Sequence, residues 1–125
     1  MTNSQSNWRV LVPRLLLALP LMTAGAAKLA GVPQLHASFA VLGLPAWFGY
    51  FIGAAELSGA VALFIAPLRL LAASGLVLIL LGAFYFHLMH TPLSQGLPAL
   101  VLLGLSALVI RQDVQQRRAQ ALSLI

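Results

Sequence analysis

Glu56 lies in the middle of an apolar run, WFGYFIGAAELSGAVALFIA (residues 47–66), and its presence there needs a chemical reason. Nine residues into a helix from Trp47 it would sit about 13 Å deep, near the midplane of a bilayer. A carboxylate at that depth is strongly disfavoured unless protonated or paired, which makes it a candidate proton or ligand site. The structural alternative is a polar anchor that fixes helix register. Gly49, Gly53, Glu56 and Ala60 follow spacings of four, three and four, so they share one helix face. Small residues there admit a second helix at close range, and Glu56 is expected to point inward rather than at lipid.

Lys28 is the natural counter-charge. Arg14, Ala18, Leu21, Gly25 and Lys28 keep the same kind of spacing on an earlier apolar run, with Gly25 as its packing residue. Lys28 either snorkels to the interface or turns toward Glu56. If both helices start at the interface the two residues differ in depth by roughly 10 Å, so a water-bridged arrangement is expected rather than direct contact. Ala83, His87 and His90 share a face of a later run, and His87 falls at the level of Lys28. With Tyr85 these residues place most ionisable groups at one end, and Arg14 is the only obvious polar group at the other. That distribution predicts a pocket around Glu56, Lys28, His87 and Tyr85, against the alternative of ordinary interfacial polarity. His36, His87 and His90 do not make a convincing haem or metal set, because two of them share one helix and no carboxylate–histidine pair accompanies them. No metal and no cofactor is expected; binding of a quinone or a lipid remains open.

The elements that must position these residues follow from composition. Hydrophobic residues make up 61% of the 125 and charged residues 7%, against about a quarter charged in ordinary soluble domains. Such a chain lacks the polar surface to face water, so lipid must be the solvent for most of it. The absence of cysteine excludes disulfides, CxxC redox chemistry and thiolate metal sites. The net charge of +5 is topogenic rather than a nucleic-acid signal, because the basic residues flank apolar segments. We read residues 1–125 as a single membrane domain. It is all-α, a transmembrane four-helix bundle of antiparallel up-down topology with spans at about 10–30, 47–66, 69–89 and 93–110. Pro20 is expected to kink the first span, and the fourth is expected to be the shortest.

Residues 1–8 form a polar lead. GVPQLHASFAVLGLPA should be a short re-entrant or interfacial segment between the first two spans, and residues 111–125 a cytoplasmic tail with weak amphipathic character. Arg9, Arg14, Arg69, Arg111, Arg117 and Arg118 fall on one side and Lys28 alone on the other. The positive-inside rule therefore assigns both termini to the cytoplasm, in a cell (inner) membrane. A rival reading takes the first run as a signal peptide cleaved near Ala26, but the apolar stretch continues past that site.

In order and spacing, four motifs resemble those of the DoxX-like family of small bacterial four-helix membrane proteins. They are AG-x-x-KL-x-G (Ala24, Gly25, Lys28, Leu29, Gly31), LGLP (Leu42, Gly43, Leu44, Pro45), IG-x-x-EL-x-G (Ile52, Gly53, Glu56, Leu57, Gly59) and an aromatic–histidine ending (Tyr85, His87). The resemblance covers residues 14 to about 110. It implies the fold, together with an association with membrane redox complexes rather than a defined activity. Vitamin K epoxide reductase-like proteins need cysteines, and small multidrug transporters carry their key glutamate on the first helix, so both fit less well. The leading expectation is a subunit or organiser of a membrane complex, redox or quinone-linked, without catalytic chemistry of its own. Its partners would be membrane lipid and either other subunits or a second copy, with no nucleic acid. The alternative is binding or proton-coupled transport of a small lipophilic molecule through a pocket around Glu56.

Overall fold

The computed structural model describes residues 4–125, and every regular element in that range is helical. The first three residues of the polar lead lie outside the described residues. Helix α1 (Ser4–Leu29) begins six residues before the apolar run does and carries Pro13 and Pro20 without interruption. Helix α2 (Pro33–Val41) follows a tight turn and buries none of its residues. Helix α3 (Phe48–Ala62), helix α4 (Arg69–His90) and helix α5 (Leu97–Ser123) complete the chain, with 3-10 turns at Ala66–Leu68 and Leu93–Gly96.

Glycine and proline explain most of the boundaries. Gly31 has φ +81°, with its N–H donating to the Lys28 carbonyl and that of Val32 to the Ala27 carbonyl. This is the Schellman arrangement, which needs a left-handed residue at the position glycine occupies. Gly43 repeats it at φ +76°, with Gly43 N–H bonded to Ala40 and Leu44 N–H to Phe39. The final G of AG-x-x-KL-x-G, Gly31, and that of LGLP, Gly43, are therefore helix terminators.

Two expected boundaries need correction. The second apolar run is helical only over Phe48–Ala62, so the shortest of the long helices is α3 and not the last. Phe64 and Ile65 bond back three residues to Val61 and Ala62, and Pro67 rules out continuation of the ladder. In contrast, α5 runs on through the expected tail to Ser123, since no glycine or proline follows Gly104 and Asp113 is held inside. Among the described residues three segments are long and apolar enough to cross a membrane: Asn7–Leu29, Ala66–His90 and Leu93–Ser123.

Helix α1 packs most extensively on α3, and α4 on α5; narrower α1–α5 and α3–α4 contacts join the two pairs. Leu17, Leu21, Leu63, Leu76, Leu80 and Val109 fill the centre, with Ala18, Ala60 and Ala73 between them. Large apolar side chains also cover the outside: Leu71 is 75% exposed and Leu78 71%. An exterior this greasy is a liability in water and ordinary in hydrocarbon.

The α1–α3 contact is set by two glycines. A Cβ on Gly25 would come within 2.7 Å of the Gly53 carbonyl oxygen, and one on Gly53 within 2.7 Å of Lys28 Cβ. Backbone lies against backbone here, the small-residue mode of helix association. Gly25→Ala and Gly53→Ala should each lower the thermal unfolding midpoint of the detergent-solubilised protein, at about 1–3 kcal/mol per overpacked site. Gly75→Ala and Gly104→Ala, where a Cβ meets nothing within 4 Å, should leave the midpoint unchanged or raise it. Equal effects at all four positions would refute close packing at Gly25 and Gly53.

Candidate functional site

Lys28 and Glu56 meet directly. The ammonium lies 2.6 Å from Glu56 Oε1, with side-chain exposures of 14% and 5%. Expectation and structure part here, and helix geometry gives the reason. Gly25 lies against Gly53 and Leu57, while Lys28, further along α1, lies against Gly53, so the two chains run in opposite directions past each other. Helical side chains lean toward the N-terminus of their own helix. Lys28 thus leans back along α1 and Glu56 back along α3, each toward the other, and the depth difference is closed without water. The approach is that of an ion pair rather than a well-directed hydrogen bond, and Oε1 has no hydrogen-bond partner among the described residues.

Beside the pair stands His36, which the sequence offers only as a metal or haem candidate. His36 on α2 donates from Nε2 to the Lys28 carbonyl at 2.8 Å, the same carbonyl that receives the Gly31 N–H. Such bonds satisfy a carbonyl that the end of a helix leaves without an intrahelical donor. The imidazole lies over Gly49, where a Cβ would collide with the ring, and stacks at 4.4 Å on the Tyr50 ring. Gly49 is thus a seat for His36, while Gly53 and Gly25 admit the neighbouring helix. A cleft of about 410 Å³ opens alongside, lined by Gly31, Pro33, His36, Phe39, Leu44 and Tyr50 among others. It reaches neither Lys28 nor Glu56.

His87 and Tyr85 are described by other contacts. His87 Nδ1 bonds the Thr91 hydroxyl at 3.1 Å, and that hydroxyl donates to the His87 carbonyl at 2.8 Å, which closes the end of α4. Tyr85 is 56% exposed. His90 packs its ring against Phe86 at 5.0 Å. Among the described residues neither His87 nor Tyr85 bonds to Lys28 or Glu56. Nor does any group of three His, Asp or Glu gather to hold a metal ion. Ala60, the last small residue of the Glu56 face, is fully buried in the core.

The opposite end is far more polar than Arg14 alone suggests. Arg69 and Asp113 are 7% and 2% exposed, and Arg69 Nη1 approaches Asp113 Oδ1 at 3.3 Å. Arg117 Nε holds Asp113 Oδ2 at 2.6 Å. The same arginines stitch the turn between α3 and α4: Arg69 Nε donates to the Leu63 carbonyl at 2.6 Å, and Arg117 Nη2 to the Ala66 carbonyl at 2.9 Å. Asp113 falls within the expected cytoplasmic tail, residues 111–125. Its i,i+4 spacing to Arg117 was a legible signal; its partnership with Arg69, 44 residues away, was not. Glu56 and Asp113 are the only acidic residues of the chain, and each lies buried beside a cation.

A family profile described as the DoxX-like family matches residues 12–109, well over half of the chain and inclusive of both glycine–charge motifs. No curated protein and no solved structure matches it.

The Lys28–Glu56 contact predicts a specific pattern in a double-mutant cycle. Lys28→Met or Glu56→Gln alone should cost up to roughly 3–5 kcal/mol of stability, because a buried partner is left uncompensated. The double variant should recover most of that loss in thermal unfolding of the purified protein. Additive losses would mean that the two residues do not interact.

Proposed function

This chain belongs to the DoxX-like family, and on that premise we propose that it is a multi-pass subunit or organiser of a membrane complex, without catalytic chemistry of its own. We further assign α3 as a fourth crossing in an antiparallel up-down four-helix bundle. By rise it reaches about 22 Å, less than a full hydrocarbon core, so flanking turns and local thinning must make up the difference. In this arrangement α2 lies at the interface on the Lys28 side. The arginine-rich end faces the cytoplasm with both termini, in the inner membrane of a bacterium.

The observation that carries the organiser reading is the closure of the Lys28–Glu56 pair. A carboxylate locked against an ammonium at 2.6 Å, outside the neighbouring cleft, is arranged to hold two helices together. The exterior of the helix pairs meanwhile offers broad apolar surface to other membrane helices. Native electrophoresis and mass spectrometry from membranes in mild detergent should find the chain in an assembly larger than one copy, with another membrane protein. A cofactor-free monomer with no co-purifying partner would overturn this reading.

The cleft beside His36 and Tyr50 favours one second reading, a binding site for a small lipophilic molecule such as a quinone or lipid. Its 410 Å³ falls within the range of small-molecule sites, and the aromatic and imidazole groups supply an apolar wall with a polar edge. Glu56 acts on it through Lys28, whose carbonyl anchors His36. On this reading Glu56→Gln changes both the retention of an extracted lipophilic ligand and its pH dependence. Unchanged retention across pH would eliminate it.

A further inference from the structure

The arginine-rich end carries more positive charge than its own carboxylate balances. Arg69 and Arg117 converge there on Asp113 as the single acidic residue, and Arg14 reaches α5 beside them at Gln116. Asp113 is saturated, with one oxygen facing Arg69 and the other Arg117. Arg14 makes no ion pair among the described residues. Its bond to Gln116 Oε1 is long, 3.4 Å, and its Nε is buried without a hydrogen-bond partner among the described residues. Gln112, which donates to the Arg9 carbonyl, leaves Oε1 buried and unpartnered as well.

A half-buried guanidinium with a free donor beside two other arginines is an unstable arrangement at the edge of hydrocarbon. Like charges repel more strongly where water is scarce, and a buried donor left unmade costs its desolvation. An anion supplied from outside would resolve both problems. We propose that Arg14, on the side where it reaches Gln116, binds a phosphate group, from either the headgroup of an anionic phospholipid or a soluble phosphate. The planar guanidinium fork matches two phosphate oxygens, and Nε–H is one of the donors such a fork uses. Arg117 adds charge at the mouth, its side chain being 44% exposed even while paired to Asp113. Asp113 does not oppose the ligand, because it is 2% exposed and covered by its two arginines.

Native mass spectrometry of the purified chain in a neutral detergent tests this, with phosphatidylglycerol, phosphatidylcholine and inorganic phosphate titrated in separate arms. One phosphatidylglycerol per chain should be retained in preference to phosphatidylcholine. Binding of phosphatidylglycerol without inorganic phosphate assigns the lipid source; binding of inorganic phosphate assigns the soluble one. Arg14→Gln should weaken binding about tenfold, the loss of one charge-assisted hydrogen bond, while Arg111→Gln, which removes the same charge from an exposed position, should not. Should Arg14→Gln fail to fold, Arg14→Lys retains the charge without the fork and should still bind more weakly than the wild type. No preference over phosphatidylcholine in either anionic arm, equal losses in the Arg14 and Arg111 variants, or unweakened binding by Arg14→Lys would each overturn the proposal.

Discussion

The crossing of α1 and α3 at Gly25 and Gly53 is the contact on which the rest of the Lys28 end depends. With backbone against backbone, Lys28 Cβ rests on Gly53, and the ammonium has only one acid within reach. A larger residue at either glycine would separate the helices, and the pair would lose contact before any side chain had changed. The carbonyl of the same lysine receives both the Gly31 N–H and the His36 ring, so the position of α2 follows from the same place. One close approach thus sets a buried charge pair, a helix terminus and the wall of a cleft.

The other end solves a different problem by related means. The α3 helix stops early. With Pro67 four residues on, the Leu63 carbonyl has no backbone donor among the described residues, and lipid cannot supply one. The Ala66 carbonyl accepts only the Arg69 N–H from the backbone. Arg69 and Arg117 donate to them, and Asp113 holds both arginines in place. Polar groups in this protein are therefore arranged as two fasteners at opposite ends of an apolar middle, each built around one of the only two acids. The Lys28 fastener is neutral as a pair. The Arg69 fastener carries a surplus, which is why it and not the glutamate site looks outward for an anion.

Much of the Lys28 end was legible beforehand, because helical periodicity is local. The spacing of Gly49, Gly53, Glu56 and Ala60 needs only 3.6 residues per turn to put them on one face. The same holds for Arg14, Gly25 and Lys28. Periodicity says nothing of the vertical register between two helices, so the depth mismatch inferred for Lys28 and Glu56 did not survive contact with the direction in which the side chains lean. Nor does periodicity give azimuth around the bundle, so the place of His36 on the Lys28 carbonyl and of Tyr50 against that ring needs the tertiary structure.

The membrane character, the all-helical class and the inward face of Glu56 were determined by the sequence alone, since each follows from composition or from spacing within one segment. The helix stops at Gly31 and Gly43 belong with them in principle, because a left-handed terminus is a local event. The direct contact of Lys28 with Glu56, and the Arg69 partner of Asp113, were decided only by tertiary structure. Lys28 and Glu56 are 28 residues apart and Arg69 and Asp113 are 44, and no local rule relates residues on different helices. Direct contact at Glu56, which began as a question about one carboxylate, was settled by where two glycines allow two backbones to touch.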